Sequence, residues 1–295
     1  MLRYFFYSIF FIIAFYVEVF AQKEPVRASN LEFIENKGQW EEQVIYKANL
    51  KSGALFLEEE CLTFNFVNHD DVAHSHAHDR HVFNKNEKII THYHAYKINF
   101  LNKNILARIN GLYPAQDYCN YFIGNDQKRW ASRVQKYQAI KYEDIYPFTD
   151  LKIYSSNNLL KYDFILHPGA DHRDIELEYE GLKDIRLSRG NLIIKTAVNK
   201  IMELKPFAYQ EIDGKIIEVD CRYRLKSNVV SFEIKGKYDK NKTLIIDPTL
   251  IFSTYTGSTA DNWGFTATFD YLGNVYSGGI VSGTGYPTST GAFQE

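Results

Sequence analysis

The sequence has few of the residues that mark several functional classes. Its three cysteines, Cys61, Cys119 and Cys221, are too widely spaced for the paired CxxC ligands of a zinc site. We expect three free thiols, with one disulfide and one free thiol as the alternative, because Cys also packs as a small apolar residue. The 34 basic and 36 acidic residues nearly cancel, so the chain lacks the basic surface of a nucleic-acid binder. Nucleic acid is therefore not an expected partner.

The usual catalytic signatures are also missing. The sequence contains no HExxH, GxSxG or GxxxxGK motif, and no GxGxxG after an apolar segment. Acidic runs such as 58–60 are typical of solvated turns rather than of glycosidase carboxylate pairs. The sequence thus favours a non-catalytic protein.

Long apolar runs are absent except at the start of the chain. Arg3 precedes an apolar run over 4–17, and Val19 and Ala21 occupy the small-residue positions before a cleavage site. This pattern predicts a signal peptide over 1–21, and the alternative is a membrane anchor. Because a membrane span needs about 20 apolar residues, no transmembrane helix is expected after cleavage. We expect a secreted or cell-surface protein.

Aromatic residues are abundant, with 22 Tyr and 21 Phe. Short segments that alternate apolar and polar residues indicate half-buried strands. They lie at 55–57, 62–67, 94–100 and 161–166, and further strand candidates lie at 151–154, 175–179, 192–196, 219–225, 229–234 and 243–246. Gly190-Asn191 and Asp213-Gly214 predict hairpin turns, whereas the best helical stripes, 130–137 and 201–203, are short. The pattern predicts an all-β fold, an antiparallel sandwich.

The composition changes after Asp247-Pro248. Residues 22–248 are predicted to form an amino-terminal β-rich domain. Residues 249–295 are glycine-rich and contain two apolar runs, 264–269 and 275–281, that predict a hairpin. A single hairpin is marginal in water. We therefore expect 249–295 to be the beginning of a repeat.

Several motifs carry a family resemblance. They are FIENKGQW at 33–40, NYFIGND at 120–126 before Trp130, LKYDF at 160–164 with HPGA at 167–170, and IDPT at 246–249. Together they resemble the amino-terminal domain of large Bacteroidetes-type exported surface proteins. The tail from 252 to 294 is similar to the first β-propeller repeat (SBBP-like) that follows this domain. The resemblance implies a multidomain cell-surface protein associated with type IX secretion and gliding motility, and it supplies no catalytic residues.

A histidine cluster is the sharpest local anomaly. His74, His76 and His78 would share one face of an extended segment, and His92 and His94 would approach from the next strand. Imidazoles at this density could bind a divalent transition metal. The alternative is a polar loop over 68–88 between two strands. No other cofactor is expected.

Three functions follow from these observations. The first is a non-catalytic structural or interaction module of an exported surface protein, possible roles being adhesion or gliding-associated architecture with other surface proteins as partners. The second is a metal-dependent enzyme that uses the histidine cluster. The third is a glycan-binding module that uses exposed aromatic residues, for which Trp40, Trp130 and Trp263 are candidates, although most aromatic residues of such a fold belong to the core.

Overall fold

The computed structural model describes residues 31–50, 52–68, 91–156 and 159–250, together with the backbone of 251–253, 261–269 and 275–282. Within these ranges the chain is all-β, with 21 strands and two short 3₁₀ turns. No described helix is long and apolar enough to cross a membrane.

The first strands are β1 (Phe33–Glu35), β2 (Val44–Leu50), β3 (Gly53–Glu58), β4 (Cys61–Val67), β5 (Tyr93–Leu101), β6 (Arg108–Tyr121), β7 (Ala131–Tyr146), β8 (Thr149–Ser156), β9 (Leu159–Leu166) and β10 (Glu176–Glu180). Those that follow are β11 (Asp184–Ser188), β12 (Asn191–Lys195), β13 (Lys200–Glu203), β14 (Phe207–Ile212), β15 (Lys215–Val219), β16 (Cys221–Lys226), β17 (Val229–Ile234), β18 (Leu244–Asp247), β19 (Leu250–Ser253), β20 (Asp261–Phe269) and β21 (Val275–Ser282). The 3₁₀ turns are Gln127–Arg129 and His172–Asp174.

Fifteen strands form one large antiparallel sheet. Its order is β15-β14-β18-β9-β8-β7-β1-β2-β3-β4-β5-β10-β17-β16, and β6 pairs with β7 beside this path. The end strands β15 and β16 are separated in the chain by Asp220 alone. The two ends of the sheet therefore come together, and the sheet is nearly closed. A small sheet, β11-β12-β13-β19, and the hairpin β20-β21 complete the described strands.

β7 connects β1 to β8 within the large sheet. Tyr137 of β7 lies opposite Phe33 of β1, whereas the stretch after it, from Ala139, pairs with β8. Aromatic rings then meet across the interior: the centroids of Phe100 and Tyr142 are 5.6 Å apart. Phe164 and Phe232 likewise meet, at 5.7 Å. These contacts confirm the predicted all-β, sandwich-like fold.

The core accounts for the aromatic composition. Side chains at alternate strand positions point inward, as in β4, where Phe64 and Phe66 are both buried. Phe64 stacks on Tyr96 of β5 at 5.0 Å, and Tyr96 stacks on Tyr179 of β10 at 6.4 Å. Burying a large apolar side chain stabilises a fold by about 1.5–3 kcal/mol. Cys61 and Cys221 are buried free thiols, and Cys119 is a half-buried one, so the described part of the chain contains the three free thiols expected.

Two of the predicted turns join neighbouring strands of the structure. Asp213 and Gly214 have positive φ angles of 51° and 74° and join β14 to β15, as predicted. The turn between β11 and β12 uses Arg189 and Gly190, one residue earlier than predicted, and Asn191 begins β12. A glycine fits such positions because it lacks the Cβ that makes a positive φ costly.

Both weak helical stripes were wrong, because 130–137 falls mostly in β7 and 201–203 falls in β13. Leu250–Ser253, placed by the sequence in the glycine-rich segment 249–295, pairs with β13 in the small sheet. The predicted hairpin is confirmed, since β20 and β21 pair in antiparallel register.

Candidate functional site

The structure describes only part of the predicted histidine cluster. His74, His76 and His78 lie outside the described residues. His92 is exposed just before β5, whereas His94 is half buried, in phase with the inward-facing Tyr96. Among the residues described, no group of three or more His, Cys, Asp or Glu side chains is placed to hold a metal ion. A divalent metal at these histidines stays a prediction.

An exposed apolar surface with two aromatic rings lies at the end of the β6-β7 hairpin. Phe122 and Ile123, which follow β6, are 60% and 77% exposed, and Trp130, which precedes β7, is 39% exposed. The rings of Phe122 and Trp130 meet edge to face at 5.8 Å. We call these three side chains the tip patch. Apolar side chains clustered in this way often mark an interaction surface.

Hydrogen bonds within the connection hold the tip patch in place. The indole Nε1 of Trp130 donates to the carbonyl of Gly124 at 3.2 Å, which ties the two ends of the connection together. Gly124 has a φ of +75°, a conformation that favours glycine. Asp126 caps the 3₁₀ turn by accepting from the backbone N–H of Lys128 at 3.0 Å. The tip patch is therefore braced by its own backbone rather than loosely attached.

A small second core anchors the base of the tip. Ile34 of β1 packs with Ala131 and Val134 of β7, and Trp40 and Tyr121 pack against them. The rings of Trp40 and Tyr121 meet at 5.4 Å. Trp40, proposed from the sequence as a binding residue, is thus a half-buried packing residue of this anchor.

Ion pairs outside this core add to the anchor. Lys136 donates to Glu32 and to Asp117, at 2.7 Å in each case, and these hydrogen bonds raise the pKa of Lys136. Arg129 lies 3.1 Å from Glu41 and links the tip to the segment before β2. The carboxylate partners of Lys136 and both members of the Arg129–Glu41 pair are exposed, so these pairs add little to stability. They orient the hairpin more than they stabilise the fold.

A buried polar cluster joins the small sheet to the large sheet. Glu203 of the small sheet is fully buried and accepts hydrogen bonds from Tyr162 at 2.7 Å, from Tyr179 at 2.8 Å and from Tyr223 at 3.4 Å. Burial raises the pKa of Glu203, and the three phenol hydrogen bonds oppose that shift. Tyr96, stacked on Tyr179, has a buried hydroxyl with no hydrogen-bond partner among the described residues. Sequence patterns give no signal for this cluster, because its members come from four distant strands and a separate sheet.

A pair of carboxyl groups lies on the outer face of the same sheet. Phe164 lies opposite Ile246, and Lys161 bridges Thr249, which places Asp163 directly across from Asp247. Tyr154 donates to Asp163 at 3.3 Å. Burial, and then the charge of Asp247, raise the pKa of Asp163 to about 7. Lys161 neutralises Asp247 across 2.6 Å.

The motif HPGA at 167–170 has a packing role in the structure. The ring of His167 lies 2.8 Å from the buried carboxylate of Asp150, which also accepts from Lys141 at 3.0 Å. The backbone N–H of His167 donates to the carbonyl of Phe148 in the β7-β8 turn. These contacts fasten two neighbouring turns to each other.

Residues 33–249 match the family model described as Domain of unknown function (DUF7948). No curated protein matches the chain, and no solved structure matches it.

Proposed function

Because the chain belongs to the DUF7948 family, whose description assigns no function, we propose one from its own residues. It is a non-catalytic interaction module of an exported, multidomain cell-surface protein, and it binds a partner protein through the tip patch. The observation that carries this proposal is the exposure of Phe122, Ile123 and Trp130 on a braced hairpin end.

The tip patch has the composition of an interface centre. Aromatic residues are enriched among the side chains that carry most of the binding energy at protein interfaces. A side chain held in one place before binding loses little conformational entropy on binding. The bond between Trp130 and Gly124 supplies that preorganisation. Binding to a partner would bury the apolar surface of the tip patch, which the fold leaves exposed to water.

The geometry favours a protein partner over a glycan. A sugar stacks on a broad ring face and needs polar groups beside it for its hydroxyls. Phe122 and Trp130 stand at 74° to each other, and the Trp130 N–H is already bound to Gly124. Ile123, the most exposed member, offers an aliphatic surface without hydrogen-bonding capacity. A complementary apolar protein surface fits these features better than a carbohydrate.

Export and surface location rest on the sequence. Secretion is supported by Arg3, by the apolar run over 4–17 and by the small residues before the predicted cleavage site. The resemblance to exported surface proteins extends the proposal to type IX secretion and to adhesion or gliding-associated architecture. Glycan binding and a metal-dependent activity remain alternatives, carried by exposed aromatic residues and by the histidine cluster.

Site-specific photo-crosslinking on intact native cells tests the tip patch. We expect a photoreactive phenylalanine at Phe122 to give one discrete protein adduct. The same probe at Phe148, which is 58% exposed in the β7-β8 turn, should give none, so this position is the matched control. Ile123→Lys should weaken the adduct by about tenfold or more, because it places a charge in the interface centre.

Folding is checked separately. Ile123 is 77% exposed, so Ile123→Lys should leave the free energy of unfolding within about 0.5 kcal/mol of the parent. Equal crosslinking at Phe122 and Phe148, or an adduct at Phe122 that mass spectrometry identifies as a glycan, would contradict the proposal of a protein partner.

A further inference from the structure

A cleft on another part of the large sheet gathers basic side chains. One wall is the turn after β9, with His172 and Arg173, and the other is the connection between β17 and β18, with Lys240 and Lys242. We call it the basic cleft. Its volume is about 580 Å³, within the usual range of small-ligand sites. Its floor includes the apolar side chains Leu166, Ile234 and Leu244.

The two lysines of the basic cleft are not held in ion pairs by the carboxylates around it. Asp171 is engaged by Arg173, whose Nε donates to it at 2.9 Å, so these two charges neutralise each other. Asp239 keeps its charge but accepts from the backbone N–H of Asn241 at 2.9 Å, so its carboxylate is held within its own turn rather than on a lysine. Lys240 and Lys242 form no ion pair with any residue that the structure describes, and both are exposed. Two ammonium groups thus face the cleft in a chain whose net charge is −2.

A buried side chain holds the lysine-bearing wall in position. Gln210 of β14 is 2% exposed, and its Nε2 donates to the carbonyls of Asp239 at 2.9 Å and Lys242 at 3.2 Å. Its Oε1 accepts from the backbone N–H of Asp239 at 2.8 Å. One amide therefore binds both ends of the turn, and the backbone that presents Lys240 and Lys242 is fixed from beneath.

The opposite wall supplies a neutral donor. Burial is the largest cause that lowers the pKa of His172; the charges of Arg173 and Lys240 lower it further, and those of Asp171 and Asp174 oppose them. The ring is consequently neutral near pH 7 and presents one N–H. Two ammonium groups and a ring N–H around an apolar floor match an anionic group that is attached to an organic body.

We propose that the basic cleft binds the oxyanion of a phosphate or sulfate ester. Lys240 and Lys242 contact the oxyanion, and the apolar floor contacts the organic part of the ligand. The cleft and the tip patch have no residue in common, so either proposal can fail without the other.

Calorimetric titration of the full chain with sodium sulfate, sodium phosphate and phenyl sulfate, at an ionic strength held constant with NaCl, tests the site. Saturable binding of at least one oxyanion with one site per chain is expected, with phenyl sulfate binding several-fold more tightly than inorganic sulfate. Lys240→Gln combined with Lys242→Gln should weaken binding at least tenfold. Lys237→Gln, an exposed position of the same connection that does not line the cleft, is the matched control and should bind like the parent.

Two outcomes would overturn the proposal. One is the absence of saturable binding for all three probes. The other is equal binding by the parent and the double variant. Binding of sulfate but not phosphate, or the reverse, would support the site and identify which ester it takes. Because the substituted lysines are exposed, thermal unfolding should show that each variant folds like the parent.

Discussion

Glu203 and Asp163 are both largely removed from water, but their surroundings differ. Glu203 meets only donors, three phenols that converge on its two oxygens. Asp163 meets one phenol and, across the strand, a second carboxyl, Asp247. Burial disfavours the charged form in both cases. The comparison shows that donors around a buried acid oppose the effect of burial on its pKa, whereas a facing acid adds to that effect.

The two carboxyl groups also differ in the strands that they connect. Glu203 comes from the small sheet, and its partners come from β9, β10 and β16 of the large sheet, so its hydrogen bonds join the two sheets. Asp163 and Asp247 belong to neighbouring strands of one sheet, and their repulsion acts against the pairing of those strands. Three changes sharpen this comparison.

Glu203→Ala should have the largest effect. It removes the shared acceptor of three buried phenols and leaves a cavity, so the free energy of unfolding should fall by about 3–5 kcal/mol. Chemical denaturation at pH 7 measures this loss. Glu203→Gln keeps the size and one acceptor and should lose less, and the exposed Glu211→Ala is the neutral control. A loss below about 1 kcal/mol for Glu203→Ala would show that the two sheets do not depend on this cluster.

Asp163→Asn should change the pH dependence of stability. The pKa of Asp163 is raised to about 7 in the fold, so its stabilising contribution is complete below about pH 4 and is lost as the pH rises through 7. The facing groups are Asp247, Tyr154, Lys161 and Lys152. Asn cannot ionise but still accepts from Tyr154. The free energy of unfolding of the variant, relative to that of the parent, should therefore rise by about 2–4 kcal/mol as the pH rises from 4 to 8.

Denaturation curves at several pH values measure that difference. Glu178→Gln provides a control, since this half-buried carboxyl lies on another strand and accepts a hydrogen bond from Asn99. A difference between Asp163→Asn and the parent that stays constant from pH 4 to pH 8 would contradict the interpretation.

Tyr96→Phe should have the smallest effect and the opposite sign. The hydroxyl of Tyr96 is buried beside the Glu203 cluster without a described partner, so its removal should raise the free energy of unfolding by up to about 1 kcal/mol. Tyr162→Phe deletes a hydroxyl that does bond to Glu203 and should lower stability by about 1–3 kcal/mol. Thermal unfolding of the two variants side by side is decisive, and a loss for Tyr96→Phe would mean that its hydroxyl is satisfied.

The sequence predicted the fold class and many strands because alternation is a local signal. The prediction of 229–234 coincides with β17, and 161–166 lies within β9. The long β6-β7 hairpin was not predicted, because its strands are irregular: β6 is mostly exposed, and the register between the two strands shifts after Pro114. The predicted run 219–225 proved to be two strands that meet at Asp220, since apolar character alone does not show where a chain turns a corner.

The candidate sites were harder to predict. The motif at 120–126 before Trp130 marked the tip, but a motif cannot show whether a ring is exposed or packed. Trp130 proved exposed, whereas Trp40 packs on Tyr121. The basic cleft depends on the buried Gln210. This residue lies 29 positions before Asp239, which is in the turn that Gln210 holds. Such contacts appear only when the strands are assembled.

The pairing order of the large sheet also has a kinetic consequence. Phe33 pairs with Tyr137, Phe100 with Leu177, and Phe164 with Ile246, so neighbouring strands are often far apart in the chain. Loops of this length must close before the contacts that stabilise them can form, and folds dominated by distant pairings reach the native state in milliseconds to seconds rather than microseconds. Since β9 finds its partner β18 only near the end of the domain, the nearly closed sheet can be completed only after almost the whole domain has been synthesised.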